Sequence, residues 1–160
     1  MAEAHIFEPT ILREYDIRGV VGDTLSDRDA YAIGRAFGTI VSRQKEGEGK
    51  KVCIGRDGRL SSPEMEAALI DGLTESGVEV VRVGLGPTPM LYYSVHHFDA
   101  DGGIMVTGSH NPSNYNGFKF MIGKKPFFGE QIQNLAKMAA AADYEEGFGS
   151  VESVTIEPDY

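Results

Sequence analysis

The stretch GIMVTGSHNP, residues 103–112, joins an apolar run to a polar loop and decides how the rest of the chain is read. Its first four residues predict a buried strand, and NGFKF at 116–120 predicts a second strand beyond the loop. Gly108 allows backbone angles that other residues avoid and a close approach by a ligand, while Pro112 holds the residue before it toward extended geometry. The sequence therefore predicts a loop between two strands that displays a hydroxyl, an imidazole and an amide together.

Helices and strands are predicted in alternation on both sides of this loop. Apolar residues at helical spacing predict helices over 27–45, from Ser62 to Gly77, over 88–97 and over 129–142. Apolar runs predict strands over 51–55, 78–83, 101–106, 116–122 and 151–156, with an extended arm or short strand over 6–12. Ser26 or Asp27 is expected to cap the first helix and Ser62 the second. The alternation predicts one α/β domain over residues 1–160, with three α/β/α layers and a mixed, mostly parallel sheet.

The composition limits the class of protein. Fifteen Lys and Arg against 24 Asp and Glu give a net charge of −9, which argues against a broad surface for nucleic acid or an acidic membrane. No run of 18 apolar residues and no apolar core of signal length is present, so a cytoplasmic protein is expected. The single cysteine, Cys53, lies in an apolar run, which favours a small buried side chain over a redox or metal role.

Two polar segments have more than one interpretation from their residues alone. Arg18 can form a surface ion pair with Asp16 while Tyr15 packs against the domain. The segment GRDGR at 55–59 follows a predicted strand, at the edge where open α/β sheets usually bind ligands. Its Asp-Gly pair is also a turn signal, and its arginines can be solvated or paired with carboxylates.

The adjacent histidines at 96–97 point about 100° apart on a helix, which favours contact with the helix's negative end over metal ligation.

Several segments together resemble the phosphohexomutases, specifically the bacterial phosphomannomutase/phosphoglucomutase branch. In the order of that family they are REYDIRG at 13–19, GRDGR at 55–59, GPTP at 86–89, TGSHNP at 107–112 and YNGFK at 115–119. The resemblance spans nearly the whole chain and implies the first of the four domains that this family has. It also implies that the chain works with downstream domains of the same polypeptide.

The resemblance implies roles for six residues. The implied catalytic residues are Ser109, as phosphoryl carrier, and His110, as a proton-transfer or phosphate-contacting group. The implied substrate- and phosphate-binding residues are Tyr15, Arg18, Asn111 and Lys119. Because adjacent extended residues point to opposite sides, His110 need not touch the Ser109 hydroxyl. For residues 55–59 the resemblance implies a structural and positioning role.

The same resemblance implies a reaction and its cofactors. A phosphoryl group would move reversibly between the 1 and 6 positions of mannose or glucose phosphate, through a phosphoserine and a sugar bisphosphate that also serves as activator. Mg²⁺ would be bound by the phosphate on Ser109 and by an aspartate-rich loop outside residues 1–160. The chain alone is therefore expected to fold without turning over substrate. Gly108 favours the mannose/glucose branch over branches that usually have Ala there, but the sugar-selecting part lies elsewhere.

Two other functions compete with this one. In a serine hydrolase Ser109 and His110 would be nucleophile and base, but the Gly-x-Ser-x-Gly elbow is absent and no third triad member is indicated. A non-catalytic sugar-phosphate-binding or domain-interface module would keep its binding after Ser109→Ala and would never carry phosphoserine. The phosphohexomutase hypothesis predicts that mutase activity needs both the downstream sequence and Ser109, and that Ser109 carries the phosphoryl group.

Overall fold

The computed structural model describes residues 3–44 and 50–155. Its helices are α1 (Asp27–Gln44), α2 (Ser62–Glu75), α3 (Thr88–His97) and α4 (Glu130–Ala140), with a 3₁₀ turn at Pro9–Ile11. Its strands are β1 (Ile17–Val20), β2 (Lys51–Arg56), β3 (Glu79–Leu85), β4 (Gly102–Val106), β5 (Tyr115–Ile122), β6 (Lys125–Pro126) and β7 (Ser150–Ser153). Each predicted helix and strand from residue 27 onward is present, although the predicted ends at Lys45 and Ile156 lie outside the described residues.

The strands form one mixed sheet in the order β1-β5-β4-β2-β3-β7, with β6 paired to β5. Strands β4, β2, β3 and β7 are parallel neighbours, whereas β5 runs antiparallel to both β4 and β1. Buried side chains of α1, α2 and α4 pack in one core cluster, and those of α3 pack in a second. The predicted three-layer α/β/α fold with a mixed sheet is confirmed.

Strand β4 is buried along its whole length because helices cover both faces of the sheet there. Cys53 is buried in the neighbouring strand β2, as its apolar surroundings predict, and burial raises the pKa of its thiol to about 11. Within the described residues, no helix is both long and apolar enough to cross a lipid bilayer.

Helices α1 and α2 pack through two glycines, and this contact lies in the last turns of α2. A Cβ atom at Gly34 would lie 2.3 Å from the Leu69 carbonyl oxygen, and one at Gly72 would lie 2.2 Å from that of Tyr31. Any larger side chain at either position would therefore push the helices apart. Gly77, with φ of +85°, ends α2 as predicted.

Three local predictions differ from the structure. Residues 6–12 form a 3₁₀ turn over Pro9–Ile11 instead of an extended arm or strand, because Pro9 suits a first helical position and the Glu8 carboxylate accepts the Thr10 N–H at 2.8 Å. The Ser62 hydroxyl does not cap α2, since it donates to Asp57 at 2.6 Å. At α1 the Ser26 N–H donates instead to the Asp29 carboxylate at 2.8 Å.

Candidate active site

Two parallel strands bring the GRDGR and TGSHNP segments together. In the ladder between β2 and β4, Arg56 lies opposite Val106, so both strands end at the same edge of the sheet. The next residues, Asp57 and Thr107, leave that edge side by side, and the Asp57 N–H donates to the Val106 carbonyl at 2.9 Å. Loop 57–61 therefore lies against the serine loop, which we define as residues 107–115.

The Asp57 carboxylate is the point where hydrogen bonds from both loops converge. It accepts from the Thr107 hydroxyl at 3.0 Å and the Gly108 N–H at 2.9 Å on one side. On the other side it accepts from the Ser62 hydroxyl at 2.6 Å and from Arg59, whose N–H lies at 3.1 Å and whose Nε lies at 3.2 Å. Burial on its own would raise the pKa of Asp57, but these hydrogen bonds outweigh it and the pKa falls below its usual value.

The Arg59 guanidinium binds the backbone of the serine loop at four carbonyl oxygens. Nη1 donates to the carbonyls of Pro112 at 2.6 Å and Tyr115 at 3.1 Å. Nη2 donates to those of Ser109 at 3.1 Å and Asn111 at 2.7 Å. A single side chain thus contacts the loop from its serine to the start of β5.

The backbone of Ser109 is left-handed, with φ of +55°. Its N–H donates to the Thr107 hydroxyl at 2.9 Å, and its own half-buried hydroxyl lies 3.5 Å from Lys119 Nζ. Two expectations are therefore wrong: the unusual backbone angle falls on Ser109, not Gly108, and Ser109 is not extended. Gly108 is needed for space, because a Cβ there would lie 2.1 Å from Arg59 Cζ.

Two cations reach this loop from the strands beside it. Lys119 stands on β5 opposite Met105, and its ammonium is the one next to the serine hydroxyl. Arg18 stands on β1, where Nη1 donates to Asn111 Oδ1 at 2.6 Å and Nη2 pairs with Asp16. The Arg18 and Asp16 side chains are only 13% and 11% exposed, so their ion pair forms but is not a surface pair.

The other two predicted site residues are not joined to Ser109 in this structure. His110 is exposed, and in the described part of the chain it makes no hydrogen bond to the serine hydroxyl. Tyr15 is 72% exposed and stacks on Phe128, with 5.8 Å between ring centres, instead of packing into the domain. The pairing of nucleophile and base that a serine hydrolase needs is thus not observed between Ser109 and His110.

The contacts around Asp57 and Arg59 also involve residues to which the sequence analysis gave no role at the site. Ser62 and Thr107 each bind Asp57, and the Asn116 amide donates to the hydroxyls of Ser61 at 2.8 Å and Ser62 at 3.0 Å. The sequence signal for this cluster is positional: Asp57 directly follows a strand at the ligand-binding edge of the sheet.

A divalent metal ion would find few ligands here. Over residues 3–44 and 50–155, no group of three His, Cys, Asp or Glu side chains is arranged to hold a metal. The Asp57 carboxylate, the acidic group in contact with the serine loop, already accepts five hydrogen bonds. These residues fit a metal only through one oxygen ligand on Ser109, with the remaining ligands supplied from elsewhere.

Comparisons with known proteins relate this chain to one family. Residues 9–146 match the family model described as phosphoglucomutase/phosphomannomutase, alpha/beta/alpha domain I. A phosphomannomutase/phosphoglucomutase from Pseudomonas aeruginosa is 47% identical over 159 residues, which are 99% of this chain and 34% of that protein. A Neisseria gonorrhoeae phosphoglucomutase is 49% identical over 125 residues, which are 78% of this chain and 26% of that protein.

The comparison with solved structures gives the same family as the sequence comparisons. A crystal structure of a phosphoglucomutase/phosphomannomutase family protein from Burkholderia thailandensis superposes with a TM-score of 0.90 at 43% identity, over 97% of this chain and 35% of that one. The chain thus spans about a third of the length of the Pseudomonas aeruginosa and Burkholderia thailandensis proteins. It belongs to the phosphoglucomutase/phosphomannomutase family and corresponds to the α/β/α domain I of that family.

Proposed function

We propose that this chain is the phosphoserine domain of a phosphohexomutase that acts on mannose or glucose phosphate. The observation that carries the proposal is the Ser109 hydroxyl, presented by a left-handed backbone next to the Lys119 ammonium at 3.5 Å. Two Pseudomonas relatives that match nearly all of this chain are named phosphomannomutase/phosphoglucomutase. A serine hydroxyl beside a cation is suited to carrying a phosphoryl group.

The proposed reaction consists of two phosphoryl transfers in opposite directions. A hydroxyl of the sugar monophosphate attacks the phosphorus on phosphorylated Ser109; the bond from phosphorus to Ser109 Oγ breaks, the sugar hydroxyl gives up its proton and Oγ takes one up. The resulting bisphosphate then turns in the site, and Ser109 Oγ attacks its other phosphorus as the serine hydroxyl gives up its proton; the bond from that phosphorus to the sugar oxygen breaks, and the sugar oxygen takes up a proton. The serine is phosphorylated again, and the sugar leaves with its phosphate at the other position.

The cations near the loop would stabilise the negative charge of the moving group. Phosphoryl transfer depends mainly on position and charge, so Lys119 would contact the phosphoryl oxygens directly. Arg18 would keep Asn111 in place through its 2.6 Å hydrogen bond, while its own charge is paired with Asp16. Asn111 would then contact the substrate or hold the loop's shape.

His110 and Tyr15 would meet the substrate from the exposed side of the loop. His110 is proposed to exchange a proton with the sugar hydroxyl or to contact the phosphate, because an imidazole can both accept and donate a proton. Tyr15 is proposed to line the sugar site, and its stacking on Phe128 would hold the ring in place from below the substrate. Both side chains are exposed and free to reach a bound ligand.

The complete enzyme would need groups from outside this chain. Mg²⁺, when bound, would neutralise charge on the phosphoryl group, and this chain would offer it one oxygen ligand through phosphorylated Ser109. We propose that residues 1–160 form one domain, that further domains of the same polypeptide complete the site, and that the enzyme works in the cytoplasm on soluble sugar phosphates.

The test compares three proteins. The first is this chain alone, and the second is a fusion protein in which the chain is followed by the part of the Pseudomonas aeruginosa relative that the match does not cover. The third is that fusion protein with Ser109→Ala. Each is assayed with mannose 1-phosphate and glucose 1-phosphate in the presence of Mg²⁺ and a sugar bisphosphate.

Mutase activity is expected from the fusion protein that keeps Ser109, and none from the chain alone or from the fusion protein with Ser109→Ala. Activity that survives Ser109→Ala would contradict the role of the serine as carrier. A fusion protein that binds sugar phosphate but never turns it over would favour the non-catalytic binding module instead.

A further inference from the structure

We propose that Arg59, held by Asp57, is a positioning residue that fixes Ser109 in the left-handed backbone conformation needed for phosphoryl transfer. Neither residue touches the substrate in this scheme, and both act through the serine loop. The inference rests on the proposed function of Ser109 as a phosphoryl carrier.

The backbone of Ser109 needs an external cause for its conformation. Three non-glycine residues in the described chain have a positive φ: Asp99 at 49°, Ser109 at 55° and Ala142 at 51°. Asp99 and Ala142 each lie just past a helix, one residue beyond the caps at Phe98 and Ala141, where a left-handed residue is common. Ser109 has no helix before it; it is the second residue of a turn closed by the Asn111 N–H, which donates to the Gly108 carbonyl at 3.1 Å. Because a left-handed backbone is unfavourable for serine even there, the groups around the turn must hold it.

The hydrogen bonds of Arg59 and Asp57 surround Ser109 on both sides in sequence. Before the serine, the Gly108 N–H is bound to Asp57 at 2.9 Å. At and after it, the carbonyls of Ser109 and Asn111 are bound to Arg59 at 3.1 and 2.7 Å. With both ends of the short segment fixed, Ser109 has little freedom to relax to ordinary angles.

The same contacts arrange charge for an anionic phosphoryl group. Four carbonyl oxygens that would otherwise add negative charge near Ser109 are paired with the guanidinium. The Asp57 carboxylate is itself paired with Arg59 Nε at 3.2 Å. Lys119 is then left as the charged group nearest to the serine hydroxyl, with no competing unpaired anion of this cluster.

Lysine cannot replace arginine in this arrangement. The planar guanidinium binds Asp57 through Nε and four carbonyls through Nη1 and Nη2 at once, whereas an ammonium is a single point on a flexible stem. Arg59→Lys keeps the positive charge and removes this fork of donors. The substitution therefore separates a need for charge from a need for geometry.

The first test uses this chain alone and measures amide hydrogen exchange in the serine loop. Arg59→Lys is expected to speed exchange of the Gly108 and Ser109 amides by about tenfold or more, because their bonds now open locally. The matched control is Arg43→Lys, since Arg43 binds two carboxylates on the surface far from this loop and should leave those amides unchanged. Unchanged exchange in Arg59→Lys would overturn the inference.

The second test uses the fusion protein and separates kcat from KM. Arg59→Lys is expected to lower kcat by about 100-fold while KM stays within about threefold, because a misplaced nucleophile slows the transfer more than it weakens binding. Asp57→Asn, which keeps the shape of the side chain, should act in the same direction by a smaller factor. If the Arg59→Lys protein does not fold, the Asp57→Asn protein decides the question by the same two measurements.

The outcomes distinguish the inference from the proposed function. An inactive wild-type fusion protein would count against the function, while the exchange experiment would still decide whether Arg59 holds the loop. An active fusion protein whose kcat is unaffected by both substitutions would overturn the inference and leave the role of Ser109 intact.

Discussion

Arg59 and Arg35 use the same chemistry at opposite edges of the sheet, and the comparison shows what distinguishes a functional loop from a structural one. Arg35 on α1 is 2% exposed; it donates to the Ser76 hydroxyl at 3.0 Å, the Glu145 carbonyl at 3.2 Å and the Glu146 carboxylate at 2.8 Å. Its guanidinium also lies over the Tyr144 ring, 4.8 Å from the centroid. Like Arg59, it fastens an irregular segment to the rest of the fold.

The two fastened segments differ in what they present. The segment held by Arg35, residues 143–149, is also tied by the Thr39 hydroxyl, which accepts the Glu145 N–H at 2.8 Å. Ala142, which precedes this segment, has a left-handed backbone because it lies just past the end of α4. The segment held by Arg59 contains a left-handed serine without such a cause, beside a lysine. Arginine anchoring alone therefore does not mark a site; the Arg59 segment differs by an unfavourable backbone at a serine whose hydroxyl lies beside a lysine.

The largest effect is expected from Lys119→Met in the fusion protein. Removing the ammonium beside Ser109 takes away charge stabilisation at the reacting group, so kcat should fall by about 10²- to 10³-fold. Steady-state kinetics measure it. Lys124→Met is the matched control, because Lys124 pairs with Asp99 on the surface at 2.9 Å and should change kcat little. An equal loss of kcat in Lys119→Met and Lys124→Met would mean that the ammonium beside Ser109 has no special role, and would contradict the proposed difference between the two anchored segments.

The Arg35 side of the comparison predicts a loss of stability. Arg35→Ala removes several hydrogen bonds at about 1 kcal/mol each, so the free energy of unfolding should fall by about 3 kcal/mol in urea titrations of this chain. Arg43→Ala removes only exposed ion pairs to Asp143 and Glu145 and should cost at most about 1 kcal/mol. In Arg35→Ala, amide hydrogen exchange in the serine loop should stay as in the wild type. Faster exchange there would mean that the two anchored regions are coupled.

The smallest effect concerns pH and Asp57. Because the folded pKa of Asp57 lies below its usual value, the unfolded state binds more protons in this range and the stability contribution is lost as pH falls below about 4. The difference in unfolding free energy between wild type and Asp57→Asn should therefore shrink as pH is lowered from 5 to 3, as followed by thermal melts at each pH. A difference that grows toward low pH would have the wrong sign for this explanation.

Much of the fold could be predicted because its signals are local. The helix Thr88–His97 has the predicted ends, since Pro-Thr-Pro opens it and its apolar spacing is unambiguous. The strands beside the serine loop likewise follow from short apolar runs. Motif resemblance then placed Ser109, Arg18, Asn111 and Lys119 in one region, and the structure joins them in two pairs.

The remaining contacts could not be predicted because they join residues far apart in the chain. The Asp57 bonds to Thr107 and Gly108 bridge about fifty residues and depend on β2 and β4 being neighbours, which local patterns do not show. The same long-range bonding took the Ser62 hydroxyl away from the helix cap that the sequence favours. The sequence also does not place the left-handed backbone on Ser109, because the neighbouring Gly108 adopts such angles more readily than serine does.

The most direct test of the account is to map phosphorylation in the fusion protein. The protein is first treated to remove any phosphate, then incubated with glucose 1,6-bisphosphate and Mg²⁺ and analysed by peptide mass spectrometry. If Ser109 is the phosphoryl carrier, one phosphoryl group is added, on Ser109, and it is lost again when excess sugar monophosphate is supplied. A mutase-active protein whose phosphoryl group is found on another residue, or on none, would contradict that role of Ser109.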